Sequence, residues 1–362
     1  MTRQLSDKLR ILSAVSIVIV LYIHSSHHNG FYIREAAPVS LPVTTPLQTL
    51  LGYEIGRCAV PLFFSISGYL FFRDIDLGSS WREAYKALWP KMVKRVRTLL
   101  VPYLLAAWFA PLLLLALEHV PGISYNYTFF TDTFNGPLPD LLRMVYWDSG
   151  SGVPFAFQLW FLRDLIIIVA LSPLLLLIAR VLNLRNRGGY CNLTALLFLL
   201  TFLPLPSLLP VTGAMWFVAG RALLRRLPSA GAWIVSAAFI ALCIVEMSTS
   251  WQVWHHVQLP VIALGVWAMW AVYDRMTPAT FTLAAHPWLA NVCRCTFFVY
   301  LFHIPVLKFC VKALLVVCGQ SDAAFAVAFV AAPWLFLVFC IPAAMLLRRY
   351  VPLFYGVVTG GR

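Results

Sequence analysis

The sequence predicts an all-α protein: a polytopic transmembrane helical bundle of about ten spans, with both termini in the cytoplasm. Of its 362 residues, 61% are hydrophobic and only 11% are charged. A soluble domain of this length needs charged side chains at roughly a quarter of its positions. Several uninterrupted apolar stretches reach the ~17–25 residues that a helix needs to cross a bilayer. A transmembrane barrel would instead show alternating segments of ~10 residues.

Hydropathy and helix-breaking residues set the order of the predicted spans. The first stretch lacks a small-residue cleavage pattern, so we expect a retained helix and not a removed signal peptide. We also expect a single membrane domain over residues 1–350 and a short cytoplasmic tail over 351–362. The predicted spans cover residues 9–27, 50–72, 97–119, 158–181, 192–209, 211–224, 230–250, 257–274, 295–317 and 323–347.

The charges predict how the chain is oriented in the membrane. Basic residues concentrate before the first span, after the second, fourth and sixth, between the eighth and ninth, and at the end of the chain. These are alternate loops, and the loops between them carry more acidic residues. Because cytoplasmic loops collect Lys and Arg, both termini are predicted to be cytoplasmic. The formal net charge of +13 therefore reflects topology and does not indicate a nucleic-acid partner.

Ionisable side chains inside a membrane span are costly and usually face the protein interior. His24 lies near the predicted outer end of the first span. Its imidazole could act as a general base near neutral pH, or it could lie at the membrane interface. His27 and His28 follow at a spacing that could chelate a metal. Only Glu35 is near as a further ligand, so we expect no metal.

The second span contains polar and small residues that a lipid-facing helix would not need. Glu54 and Arg57 lie one helical turn apart and can form an ion pair. Arg57 could alternatively bind an anionic or carbonyl oxygen near the histidine of the first span. Ser65, Ser67 and Gly68 allow a helix or a ligand to approach the backbone closely. Ser67 is also a candidate nucleophile or oxyanion donor.

Two later spans carry further candidates. Trp160, Arg163 and Asp164 open the fourth span, where they could anchor it at the interface or contact a substrate. His303 and Lys308 lie in the ninth span and should face inward, either for helix packing or for substrate binding.

Segments outside the spans allow two interpretations each. The outer loops at about 27–49 and 120–157 are long, and the second is rich in aromatic residues. They could bind a carbohydrate or form an interfacial aromatic belt. The basic segment at 82–97 could lie on anionic lipid as an amphipathic helix. Its Arg and Lys side chains could instead bind the phosphates of a nucleotide-bearing donor.

Five motifs, taken in order, resemble the integral-membrane acyltransferase-3 family. They extend over most of the chain, and their order and spacing are more specific than any one of them. One departure is Ser13, where the family often has an arginine; Arg10 is the nearest substitute. The motifs are VLYIHS, RCAVPLFFSISGYLF, KMVKRVRTLLVPYL, LWFLRDLI and VYLFHIPV.

The resemblance implies a multi-pass enzyme of the bacterial inner membrane. It would transfer an acyl group from cytoplasmic acetyl-CoA or another acyl-CoA to a hydroxyl of an extracytoplasmic or lipid-linked glycan. A transporter or flippase of a lipid-linked sugar is the alternative. The implied residues are His24, Arg57 and Ser67 for catalysis, Arg10, Lys94, Arg95 and Arg97 for the donor, and Trp160, Arg163, Asp164 and His303 for the substrate.

Overall fold

The computed structural model describes residues 2–26, 41–118, 136–150, 152–183, 188–204, 209–224, 228–248 and 255–361. These residues form thirteen helices and no strand, which confirms the all-α prediction. The helices are α1 (Arg3–Ser25), α2 (Thr44–Phe72), α3 (Trp81–Leu117), α4 (Leu138–Tyr146), α5 (Trp160–Ala170), α6 (Ser172–Val181), α7 (Gly189–Leu200), α8 (Val211–Leu223), α9 (Ala232–Ser248), α10 (His255–Met276), α11 (Pro287–Cys318), α12 (Asp322–Tyr350) and α13 (Pro352–Thr359).

The length and composition of the helices are those of a multi-pass membrane protein. Within the described ranges, α1, α2, α3, α11 and α12 are long and apolar enough to cross a membrane. α5 and α6 together form a sixth candidate span, bent by 57° at a short break. Each of the ten predicted spans overlaps a helix or this bent pair. The number of spans that cross the membrane and the side of each terminus stay predictions.

The small residues of α2 have a structural use, because α2 and α8 pack with their backbones in contact. A Cβ added to Gly68 would overlap the carbonyl of Phe217, and one added to Gly220 would overlap the carbonyl of Ser65. The hydroxyl of Ser65 donates to the carbonyl of Trp216 across the same contact, at 3.1 Å. This close approach accounts for glycine and serine in the otherwise apolar second span.

α11 is broken near its middle, and the break is tied to the start of α5. Ile304 has extended dihedral angles, φ −104° and ψ 133°. Pro305 lacks the N–H that would otherwise bond to the carbonyl of Leu301. The side-chain amide of Gln158, in the short turn before α5, donates to the carbonyls of Leu301 and Ile304 at 3.5 Å each. The amide therefore replaces the backbone donor that the proline removes.

The end of the chain, predicted as a short tail, forms α13 and packs on the bundle. Tyr355 and Val358 are buried, and the ring of Tyr355 stacks on Phe298 of α11 with centroids 5.8 Å apart. Gly360, with φ +66°, then lies against the backbone of Thr98 in α3. The C-terminal helix thus contacts α3 one residue after the basic segment that ends at Arg97.

We predict that Gly68→Ala destabilises the protein, because the added methyl group would overlap the backbone of Phe217 in α8. Overpacking of this kind costs ~1–3 kcal/mol, so the midpoint of thermal unfolding in detergent should fall. Gly356→Ala is the matched control, since a Cβ there meets nothing within 4 Å. Equal losses in the two variants would contradict the close contact between α2 and α8.

Candidate active site

Two histidines from distant parts of the sequence lie side by side within the bundle. His24 occupies the last turn of α1, and His303 lies just before the break in α11. Their ring centroids are 5.1 Å apart, and the side chain of His303 is fully buried. The ring of Phe157 also contacts His24, with centroids 5.2 Å apart. The sequence placed both histidines in spans, and the structure brings them together.

The contacts of His303 fix where its proton lies. Its Nδ1 is 2.7 Å from the carbonyl oxygen of Tyr300, and since a carbonyl only accepts, Nδ1 must carry the hydrogen. The Nε2 atom of the neutral ring is then an acceptor. Within the described part of the chain, this Nε2 and the Nδ1 of His24 are both buried without a hydrogen-bond partner. A neutral imidazole with a free nitrogen can accept a proton from a hydroxyl group.

A cavity of about 110 Å³ opens beside His24. By this measure one water molecule needs ~10–15 Å³, so the cavity has room for several waters or a short acyl group. His24, Gln158, Trp160 and Tyr300 supply its polar and amphipathic wall. The remaining described lining residues are apolar: Val20, Ile23, Val60, Phe63 and Phe161.

Gln158 is a cavity residue that the sequence analysis missed. It is 3% exposed, and its backbone carbonyl accepts a hydrogen bond from the Tyr300 hydroxyl at 2.9 Å. Because its amide nitrogen faces the carbonyls at the α11 break, its Oε1 atom points away from them and is buried without a partner. Its place two residues before Trp160 was the available signal, but no spacing rule links it to a proline about 150 residues later.

Lys308 follows the break on α11 and is 4% exposed. Its ammonium donates to the carbonyl of Ser26 at 3.1 Å, so it ties α11 to the end of α1. It lines a smaller cavity of about 20 Å³ together with Phe157 and Pro305. Phe157 also contacts His24, so this smaller cavity lies close to the histidine.

Arg57 forms a buried ion cluster with two carboxylates. Its guanidinium contacts Glu54 of α2 and Glu246 of α9 and lies 5.0 Å from the ring centroid of Tyr53. Neither Arg57 nor Ser67 is among the described residues that line the His24 cavity. The structure therefore supports the ion-pair interpretation of Arg57, extended by Glu246, which the sequence did not indicate.

The other predicted substrate residues divide into two groups. Trp160 lines the cavity with His24. Arg163 pairs with Asp164 at 3.1 Å, and its guanidinium also donates to the carbonyls of Trp147 and Gly152. These bonds hold the segment between α4 and α5 against α5, so a substrate contact for this pair stays a prediction.

The predicted donor residues lie far from the cavity along the chain. Arg10 is exposed on α1, Lys94 and Arg97 are exposed on α3, and Arg95 is half-buried. On α1 the described cavity lining runs only from Val20 to His24, about 6 Å of helix. A passage from the donor residues to His24 therefore stays a prediction.

The structure describes only some of the residues on which the metal prediction depends. His27, His28 and Glu35 lie outside the described residues, as do residues 27–40 and 119–135 of the two outer loops. Within the residues that are described, no group of three or more His, Cys, Asp or Glu side chains could hold a metal ion.

The helices of membrane-crossing length define a multi-pass membrane protein. The half-buried imidazole of His24, at the cavity, and the buried imidazole of His303 beside it form a candidate proton-transfer site. Residues 7–348 match the acyltransferase domain of the acyltransferase-3 family. The chain therefore belongs to this family and is a membrane-bound acyltransferase, which confirms the resemblance of its motifs.

The chain is similar to the succinoglycan biosynthesis protein ExoH of Rhizobium meliloti (strain 1021). The two are 24% identical over 334 residues, which cover 87% of this chain and 82% of that protein. No solved structure matches the chain.

We predict that removing Arg57 destabilises the bundle, because two carboxylates would remain buried together. Breaking a buried charge cluster in this way costs ~3–5 kcal/mol, so Arg57→Gln should lower the thermal unfolding midpoint in detergent. Glu246→Gln is the matched control, since it leaves Arg57 paired with Glu54 and should cost far less. A larger loss in Glu246→Gln than in Arg57→Gln would contradict this charge arrangement.

Proposed function

We propose that this protein is an O-acyltransferase of the bacterial cytoplasmic membrane. It would transfer an acyl group, which we expect to be acetyl, from cytoplasmic acyl-CoA to a hydroxyl of an extracytoplasmic or lipid-linked glycan. The observation that carries the proposal is His24, whose imidazole lines a cavity next to the buried His303. Membership of the acyltransferase family supports the reaction class, and it disfavours a transporter or flippase.

In the proposed reaction His24 acts as general base. Its ring accepts the proton of the acceptor hydroxyl while the hydroxyl oxygen attacks the carbonyl carbon of the thioester. The carbon–sulfur bond then breaks, and the protonated His24 returns its proton to the departing thiolate. General-base catalysis of this kind contributes ~10²–10⁴-fold to the rate. Arg57 and Ser67 stay candidate oxyanion donors, which would require them to reach the cavity when substrate binds.

The donor would bind from the cytoplasmic side. Lys94, Arg95 and Arg97 form a cationic segment of α3, and guanidinium groups suit phosphate binding. Arg10 lies fourteen residues before His24, ~21 Å along the helix axis, and would add a further phosphate contact. The pantetheine arm would extend from these residues toward the cavity.

The acceptor would bind beside Trp160, whose indole lines the cavity and offers an aromatic face to a sugar ring. The name of the similar Rhizobium meliloti protein places that protein in succinoglycan biosynthesis, which supports a glycan acceptor for this chain.

We predict that His24→Ala abolishes acyl transfer while the protein still folds and inserts. The measurement is mass spectrometry of cell-surface glycans in cells with and without the variant, together with its detergent-extracted yield. His286→Ala is the matched control, because this histidine is exposed on the surface and should leave modification unchanged. Glycan acylation that persists at the wild-type level in His24→Ala would overturn the assigned role.

We also predict that Arg95→Gln together with Arg97→Gln raises the KM for acyl-CoA at least tenfold, with a smaller effect on kcat. Each substitution removes a cation from the proposed phosphate site. A hydrogen bond to a charged group contributes ~1.5–3 kcal/mol of interaction free energy. The control is Arg82→Gln, which lies exposed at the other end of the same basic segment. An unchanged KM in the double variant would place donor binding elsewhere.

A further inference from the structure

Two buried nitrogen atoms at the centre of the site have no hydrogen-bond partner among the residues that the structure describes. They are Nδ1 of His24 and Nε2 of His303, on rings whose centroids are 5.1 Å apart and whose planes differ by 38°. Leaving a buried polar atom without a partner costs ~1–3 kcal/mol. Because the two rings are neighbours, a rotation of the His24 side chain could bring its Nδ1 atom to Nε2 of His303, while His303 keeps its bond to Tyr300.

The surrounding contacts determine which atom donates in such a pair. His303 carries its hydrogen on Nδ1, which faces the carbonyl of Tyr300 at 2.7 Å, so its Nε2 atom can only accept while the ring is neutral. His24 must then donate from Nδ1. The lone pair of His24 is left on Nε2, and this atom is free to take a proton from a substrate.

The surroundings of His24 in the described part of the chain give it few groups other than His303 that could stabilise a positive charge on its ring. The cavity wall around His24 is largely hydrocarbon and aromatic. The ammonium of Lys308 bonds to the carbonyl of Ser26, two residues after His24, so it opposes a second positive charge nearby. An imidazole that accepts a hydrogen bond from His24 would stabilise the imidazolium formed during the reaction.

We propose that His303 is a positioning residue that holds His24 in the tautomer with Nε2 unprotonated. The inference rests on the proposed function, since it gives His24 the role of base. The acceptor hydroxyl gives its proton to Nε2 of His24, its oxygen bonds to the acyl carbon, and the carbon–sulfur bond breaks. The thiolate takes the proton back from Nε2. The hydrogen on Nδ1 of His24 stays bonded toward His303 throughout, so neither ring gains a proton over the cycle.

The test compares two variants of His303 and two acceptors that differ in acidity. His303→Phe keeps an aromatic ring for packing but has no acceptor atom, whereas His303→Gln keeps an acceptor on a side chain of similar reach. Purified protein in lipid nanodiscs is given acetyl-CoA with either ethanol or trifluoroethanol, which loses its proton more readily. Both alcohols are small enough for the cavity.

We expect His303→Phe to lower kcat with ethanol by about 10–100-fold, which is the range seen when a metal-bound histidine loses the partner that orients its ring. The loss should be smaller with trifluoroethanol, because an acidic hydroxyl needs less help from a base. His303→Gln should recover most of the rate. Equal losses with both alcohols in both variants would show a purely structural role, and a wild-type rate in His303→Phe would also overturn the inference.

A second measurement does not depend on either alcohol being a substrate. Nitrogen NMR of ring-labelled histidines, assigned by loss of the signal in His24→Ala, reports which nitrogen of His24 carries the hydrogen. We expect Nδ1 in the wild type and a shift toward Nε2 in His303→Phe. A wild-type His24 protonated on Nε2 overturns the inference while the proposed function stands. Acyl transfer that survives in His24→Ala overturns the role of His24 as base, and with it the inference. A wild-type protein that leaves acetyl-CoA intact with every hydroxyl acceptor would overturn the proposed function itself.

Discussion

The missing backbone donor at Pro305 is the constraint on which the site depends. It leaves the carbonyl of Leu301 without its helical partner, and Gln158 supplies a side-chain amide in its place. That bond fixes the start of α5 against the break in α11, so Trp160 and His303 come from elements that are held together. The cavity beside His24 lies between these elements, with Gln158 and Trp160 on one wall and Tyr300 of α11 on another.

The ionisable groups of the bundle divide into ion pairs and two neighbouring imidazoles. Arg57 lies between two carboxylates. Lys8 bonds to Asp274 at 2.6 Å and lies 3.5 Å from the ring centroid of Trp270, which fixes the start of α1 to α10. These contacts stabilise helix positions in an apolar medium, where an unpaired charge is costly. The two imidazoles differ, because each lies beside the other ring, and His24 also lines a cavity that a substrate could enter.

Much of the fold could be predicted from the sequence, because each span is a local property of its own residues. The ten predicted spans fall on helices, and the small residues of α2 indicated a close contact before its partner Gly220 was known. The site was less predictable. His24 and Trp160 were found from their motifs, whereas Glu246 and Gln158 act through partners 189 and about 145 residues away, and no periodicity reports such contacts. α13 was missed as a helix because it is short and begins at a proline, Pro352.

The most direct test of the central claim is an experimental structure of the protein with a non-transferable acyl-CoA analogue bound. The account predicts that the acyl carbonyl carbon lies in the cavity within ~3–3.5 Å of a reacting oxygen position beside Nε2 of His24. The phosphates should lie near Arg95 and Arg97. An acyl group bound outside this cavity, with the ring of His24 facing lipid, would contradict the account.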